Sequence, residues 1–253
     1  MLSLSLKNIN FLHLASNSAA TKRKTLLATS LLLALSACGH DDDKTIETPT
    51  PPTAPAEYSY SVTLTNLTYA QPLSPLGVVL HADTKMWTVG QASSVALEKL
   101  AEGGDNTDFI ADTAALASNS GDGVVLPGTA STIEVSTTDR NATFFTAATM
   151  LVNTNDAFSG LTGIDISTMA INDSTSWNLA VFDAGTEANT EMMGSIPGPA
   201  DGGVGFDAIR DDVDFVAYHS GVVSQDDGLS SSVLTQAHRF DNPAIKITIT
   251  RIK

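Results

Sequence analysis

Two short stretches at opposite ends of residues 58–253 alternate apolar and polar residues with a period of two. Tyr60, Val62 and Leu64 alternate with Ser61, Thr63 and Thr65, and Ile245, Ile247 and Ile249 alternate with Lys246, Thr248 and Thr250. Successive side chains of a strand point to opposite faces, so both stretches predict half-buried strands. Thr132–Ser136 (TIEVS), Phe144–Val152 (FFTAATMLV) and Trp177–Phe182 (WNLAVF) are further strand-like runs, and Gly77–Leu80 (GVVL) leads a packed, hydrogen-bonded His81 out of another. Clusters of Asn, Asp, Gly and Ser separate them. One segment has a helical period instead: in Gln91–Glu102 (QASSVALEKLAE), Val95, Leu97 and Leu100 gather with Ala96 and Ala101. Ser93 or Ser94 serves as its cap and Gly103-Gly104 as its stop. Together these elements predict an all-β fold over residues 58–253, an antiparallel β-sandwich with long apical loops and one or two short helices. That length suffices for one domain with a sizeable core, and no solenoid or propeller repeat interrupts it.

The first part of the chain follows other rules. Lys22, Arg23 and Lys24 precede an uncharged run, Thr25–Ala37 (TLLATSLLLALSA), which ends at Cys38, the only cysteine. A basic segment, a short apolar segment and small residues at its end mark a secretory signal over residues 1–37. The run is shorter than the ~20 apolar residues of a spanning helix. Leu35-Ser36-Ala37-Cys38 resembles the lipobox of bacterial lipoproteins, in which the cysteine is lipidated and becomes the first mature residue. Residues 1–21 are longer than such a signal needs, which suggests an over-extended start. Residues 38–57 then carry the lipid-bearing Cys38 and a Pro-, Thr- and Asp-rich tether without apolar periodicity. The expected location is the outer membrane, on its periplasmic or cell-surface face, because Gly39 stands where an aspartate would retain a lipoprotein in the inner membrane.

Charge narrows the partners. All 28 acidic residues but only nine of the 13 basic ones lie beyond Ala37. So acidic a surface repels nucleic acid and anionic lipid and attracts cations. With its sole cysteine spent on lipid, the domain has no internal disulfide and relies on a core, a metal, or both.

Catalytic signals are weak. No nucleophile motif such as G-x-S-x-G is present. His81, His219 and His238 are far apart with no His-x-x-x-His pair, which disfavours zinc. Among 28 acids, close pairs arise by chance. Glu134 and Asp214 are the acids a glycan hydrolase would draw on, and solvated loop acids are the commoner explanation. Asp211, Asp212 and Asp214 in RDDVDF read as a solvated loop or strand edge, and Trp87 and Trp177 as core anchors. Two strand ends are richer in oxygen. Asn153-Thr154-Asn155-Asp156 follows the Phe144 run, and Asp183 and Glu187 follow the Trp177 run. Calcium takes six to eight hard oxygens, which two adjacent apical loops can supply. Spacing alone favours plain solvated turns over a metal site.

Three blocks carry a resemblance to the spondin family, the domain of F-spondin and mindin that also occurs in bacterial secreted proteins and lipoproteins. Pro72–Gly104 (PLSPLGVVLHADTKMWTVGQAS, then LEKLAEGG) is similar to that family's Ser-Pro, His, Trp, Ala-Ser and Leu-Ala-Glu-Gly pattern. Ala148–Asp165 (ATMLVNTNDAFSGLTGID) resembles its Met, Pro-Ser-Pro-Asp-Trp and Gly-hydrophobic segment. Phe182–Asn189 (FDAGTEAN) resembles its Trp-Asp-Ala-Gly-Thr-Asp-Ser-Gly signature, and Asn242–Arg251 fits its ending. The resemblance implies a C2-like sandwich with Ca²⁺ held by apical loops. Asp156 and Asp183 then match family aspartates, and Glu187 replaces a third, one methylene longer. Asn153-Thr154-Asn155 replaces Pro-Ser-Pro, Phe158 lies near the family's Trp, and the family's structural cysteines are absent. Because animal members act in cell adhesion, the implied role is a non-catalytic binding or adhesion module anchored through Cys38, with an extracellular protein or glycan as partner. A periplasmic hydrolase acting on glycans and a purely structural envelope lipoprotein are the alternatives.

Overall fold

The computed structural model describes residues 54–241 and 243–253. The expected signal segment, Cys38, all but the last four residues of the tether, and Asn242 lie outside them. Ten strands and two helices follow in order: β1 (Tyr58–Asn66), β2 (Gly77–His81), α1 (Val95–Gly103), α2 (Thr107–Ile110), β3 (Ala115–Ser120), β4 (Ala130–Thr137), β5 (Phe144–Met150), β6 (Ala157–Asp165), β7 (Ser174–Leu179), β8 (Val181–Asp183), β9 (Ala217–Tyr218) and β10 (Ile245–Arg251). They form a four-stranded sheet in the order β4-β1-β10-β7 and a six-stranded sheet in the order β3-β2-β5-β6-β8-β9. Every pairing between these strands is antiparallel. The expected all-β sandwich with two short helices is the observed architecture.

The two alternating stretches of the sequence are direct neighbours, with Val62 opposite Ile249 and Leu64 opposite Ile247. Their apolar faces are fully buried against Ile133 and Val135 of β4 and against Phe145, Ala147 and Val181 of the facing sheet. Their Thr and Lys faces point to solvent, as a half-buried sheet requires. The six-stranded sheet is covered on both faces. Leu97, Leu100 and Phe109 of the helices pack with Val79, Ala148, Phe158 and Trp87 in a second core. Double burial explains why GVVLH and FFTAATM read as continuous apolar runs rather than alternations. Trp87 is a core anchor, its ring 5.3 Å from that of Phe158. His81 is buried, its Nδ1 donating to the Ala82 carbonyl and its Nε2 bonded to the Thr146 hydroxyl. Helix α1 begins at Ser94, whose hydroxyl accepts the Leu97 N–H, and ends at Gly104 in a left-handed conformation.

The run Trp177–Phe182 is not one strand. Its first half, within β7, pairs with β10 in the small sheet, whereas Val181 and Phe182 pair with β6 in the large one. Ala180 is the crossing point, and its carbonyl accepts a hydrogen bond from Ser159 Oγ at 2.7 Å. Strands that turn a sandwich corner in this way contribute to both sheets. Two strands escape the pattern altogether. β3 (ALASNS) is a polar edge strand, and β6 mixes Gly, Ser and Thr because its face lies against Ala147 and Ala148 of β5. A Cβ on Gly160 would stand 2.2 Å from the Ala147 carbonyl oxygen.

At the end of β1, buried Asn66 ties three segments together. Its amide donates to the carbonyls of Gln71 (2.8 Å) and Val125 (3.0 Å), and its oxygen accepts from the Thr68 N–H and hydroxyl. Asn66→Ala removes four buried or part-buried hydrogen bonds that join these segments and is expected to lower the unfolding free energy by roughly 2–3 kcal/mol. The check is a lower urea midpoint with an unchanged slope.

Candidate metal centre

The chain leaves β5 at Met150 and returns as β6 at Ala157 through a closed turn. Thr154 builds it, its hydroxyl donating to the Leu151 carbonyl at 2.6 Å and accepting the Ala157 N–H at 3.1 Å. Asn153 is also committed, donating to the Ala70 carbonyl and accepting the Ala200 N–H. All four residues from Asn153 to Asp156 are buried, so the solvated-turn reading of this loop does not describe it. β6 lies beside β8, with Ala157 opposite Asp183. The register therefore sets Asp156 next to the turn that follows β8.

That turn, Asp183 to Glu187, is shaped by Asp183 Oδ1, which accepts the Gly185 N–H at 2.8 Å. Gly185 has φ +72°, and a Cβ there would stand 2.3 Å from the Phe215 carbonyl oxygen, so glycine is required on both counts. Asp156 Oδ2 accepts the N–H groups of Thr186 (2.9 Å) and Glu187 (3.2 Å) and the Thr186 hydroxyl (3.3 Å). Asn155 donates to the Glu187 carbonyl at 2.8 Å. Asp156, Asp183 and Glu187 are thus brought to one place by two adjacent turns of the large sheet.

More acids converge there than the sequence patterns indicated. Buried Glu102, at the end of α1, accepts the Asp207 N–H at 2.9 Å. Glu187 feels Glu102 more strongly than any other charge, followed by Asp156, Asp211 and Asp207. The segment RDDVDF is not a free loop but a cover. Asp211 N–H bonds the Thr186 carbonyl, its Oδ1 accepts the Ala188 N–H, and Asp214 N–H bonds the Gly185 carbonyl. Arg210 fastens this cover through Nε and an η nitrogen to both oxygens of buried Glu98, at 3.0 and 2.7 Å, and to the Asp214 carboxylate. Arg210 therefore answers Glu98, and Glu102 one helical turn later has no such partner. The missed signal was this pair of glutamates four residues apart on a helix whose neighbouring positions are buried. Glu134 lies on β4 of the small sheet, while Asp214 is tied to Arg210 over the large one.

Burial dominates the electrostatics. It pushes the Asp156 carboxyl up to about 7, helped by the Asp183 charge and opposed by the hydrogen bonds from Thr186 and Glu187. Burial and the surrounding carboxylates push Glu187 up to about 8. Glu102 is raised by burial, against its bond from the Asp207 N–H. Four buried oxygens face no donor: Asn155 Oδ1, Asp156 Oδ1, Glu187 Oε2 and Glu102 Oε1. On the other side of Asp183, Glu191 Oε2 and His219 Nε2 are also buried without partners. Among the described residues, no three His, Cys, Asp or Glu side chains stand in the arrangement of a ready-made metal site. No protein-family model matches the chain, and no curated protein matches it.

The raised acids set a pH dependence. Both are easier to protonate folded than unfolded. Their contribution is complete below the unfolded values of 3.8 and 4.5 and is lost as pH rises through about 7 and about 8. His219 and His238, lowered by burial, act in the opposite sense, but only below their ordinary 6.5. In chelator, thermal stability is therefore expected to fall between about pH 6.5 and pH 9. Glu187→Gln should flatten the upper part of that fall in a pH series of melting curves.

Proposed function

We propose that the chain is a cell-envelope lipoprotein whose spondin-like domain binds calcium and acts as a non-catalytic binding module. The observation that supports this most is the set of donorless buried oxygens around Asp156. An unpaired buried oxygen costs about 1–3 kcal/mol, and more when charged. Gathering several carboxylates adds repulsion. A hard divalent cation removes both costs. The donors are oxygens only, from carboxylates and one amide, which suits calcium rather than zinc. Asp156, Glu187, Glu102 and Asn155 would hold the ion, and Asp183 would sit beside it while shaping the turn.

Calcium there would tie α1, the β5–β6 turn and the β8 turn into one unit, as a disulfide does in cysteine-rich domains. The neighbouring surface supports a binding role over a purely structural one. Among the described residues, half of the exposed large apolar side chains fall between Met192 and Val223, Met193, Ile209, Val213 and Tyr218 among them. Apolar side chains concentrated in one set of loops mark an interaction surface. The lipid anchor at Cys38 and the outer-membrane location complete this reading from the sequence alone.

Calcium titration of the chelator-treated protein tests it. Saturating Ca²⁺ should raise stability by about 2–3 kcal/mol at one hundred times the dissociation constant, with an affinity of ~10⁻⁴–10⁻³ M expected of an extracellular module. Asp156→Asn and Glu187→Gln should each abolish most of the gain. Equal melting temperatures in calcium and in chelator would contradict the proposal.

A further inference from the structure

At the opposite end of the sandwich, where β1 begins and β10 ends, lies a cavity of about 130 Å³ lined by Tyr58, Tyr60, Asp139, Arg140, Ser167 and Arg251, among others. It is remote in the topology from the acid end. β5 starts here at Phe144 and runs to the Asp156 turn at its far end.

Among the described residues, half of the Lys and Arg side chains pair with acids. Lys99 pairs with Asp108, Arg210 with Glu98 and Asp214, Arg239 with Asp227, and Lys253 with Glu57. Among the described residues, two arginines have no carboxylate partner, Arg140 and Arg251, and both line this one cavity. Arg251 is held in place by other means. Its Nε donates to the Lys253 carbonyl at 3.0 Å, one η nitrogen donates to the Met169 carbonyl at 2.6 Å, and the guanidinium lies 5.1 Å from the Tyr58 ring centre. Its second η nitrogen keeps its donors unused. Arg140 makes no side-chain hydrogen bond or ion pair among the described residues. Tyr60 is nearly fully buried yet lines the same space. Its hydroxyl has no hydrogen-bond partner among the described residues, and burial raises its pKa further above the ordinary 10.0.

The geometry points to a recognition pocket for a small carboxylate, held between Arg140 and Arg251 with the Tyr60 hydroxyl as a third donor. A guanidinium's planar fork matches a carboxylate with two parallel bonds. Asp139 beside the two arginines leaves a net single positive charge, which suits a monoanion and opposes a phosphate dianion. At ~30 Å³ per water, the space fits about four waters, enough for a carboxylate and two or three carbons. The remainder of a larger ligand, such as an acidic sugar, would lie outside.

Calorimetric titration with propionate, D-glucuronate, D-glucose and inorganic phosphate, each in chelator, tests the pocket. Binding of propionate and glucuronate alike would support a site for carboxylates in general, and binding of glucuronate alone one for acidic sugars. Glucose and phosphate should bind at least tenfold more weakly. Arg140→Gln, at an exposed and unpartnered residue, should weaken carboxylate binding on the order of tenfold or more without changing the melting temperature. Arg251→Lys should weaken it as well. No carboxylate binding, equal binding of glucuronate and glucose, or unchanged affinity in Arg140→Gln would overturn the assignment. So would binding that requires calcium, because it would place the carboxylate at the acid end. Failure here leaves the calcium proposal untouched, and the reverse holds too.

Discussion

A carboxylate with no exposed surface, Asp156, is the main joint between two turns, beside the Asn155 amide bond to the Glu187 carbonyl. Its Oδ2 gathers two N–H groups and a hydroxyl from Thr186 and Glu187, and its backbone carbonyl accepts the Ala184 N–H. The β5–β6 turn and the end of β8 are placed relative to this one group, and the RDDVDF cover is bonded to the β8 turn. Three hydrogen bonds to one oxygen favour the ionised form, yet burial and Asp183 push the other way and prevail. The other oxygen has no partner. The proposed cation would face this bare side, and Glu187, Glu102 and Asn155 likewise carry a buried oxygen without a donor.

Charge is sorted along the sandwich. The end reached by the close of β5 and the start of β6 collects acids with one arginine spent on Glu98. The other end carries the two arginines that no acid answers. Neither concentration helps folding by itself, since each gathers like charges. The core between the sheets and the second core under the helices supply the apolar burial that holds these ends in place.

Much of the fold was legible because most of its strands obey simple rules. β1 and β10 announce themselves by alternation, and β2 and β5 by apolar runs that only a doubly covered sheet accommodates. Ser94 and Gly104 fix the limits of α1. β3 and β6 were not legible, since an edge strand and a strand packed on alanine backbone carry no apolar period. The division of WNLAVF at Ala180 was hidden for a related reason: its alternation continues smoothly while the sheet it serves changes. For the site, strand ends rich in oxygen pointed to Asp156, Asp183 and Glu187, and the register of β6 on β8 brings them together. Glu102 and Asp211 reach the same place through a helix end and a long loop, and no local spacing encodes such a meeting. Their partner atoms are separated from them by up to about a hundred residues, as in the Glu102–Asp207 bond.

The most direct measurement is a crystal structure of the protein equilibrated with calcium. A cation is predicted in contact with Asp156 Oδ1 and a carboxylate oxygen of Glu187. Calcium confined to exposed acids, with Asp156 Oδ1 still bare, would contradict the account.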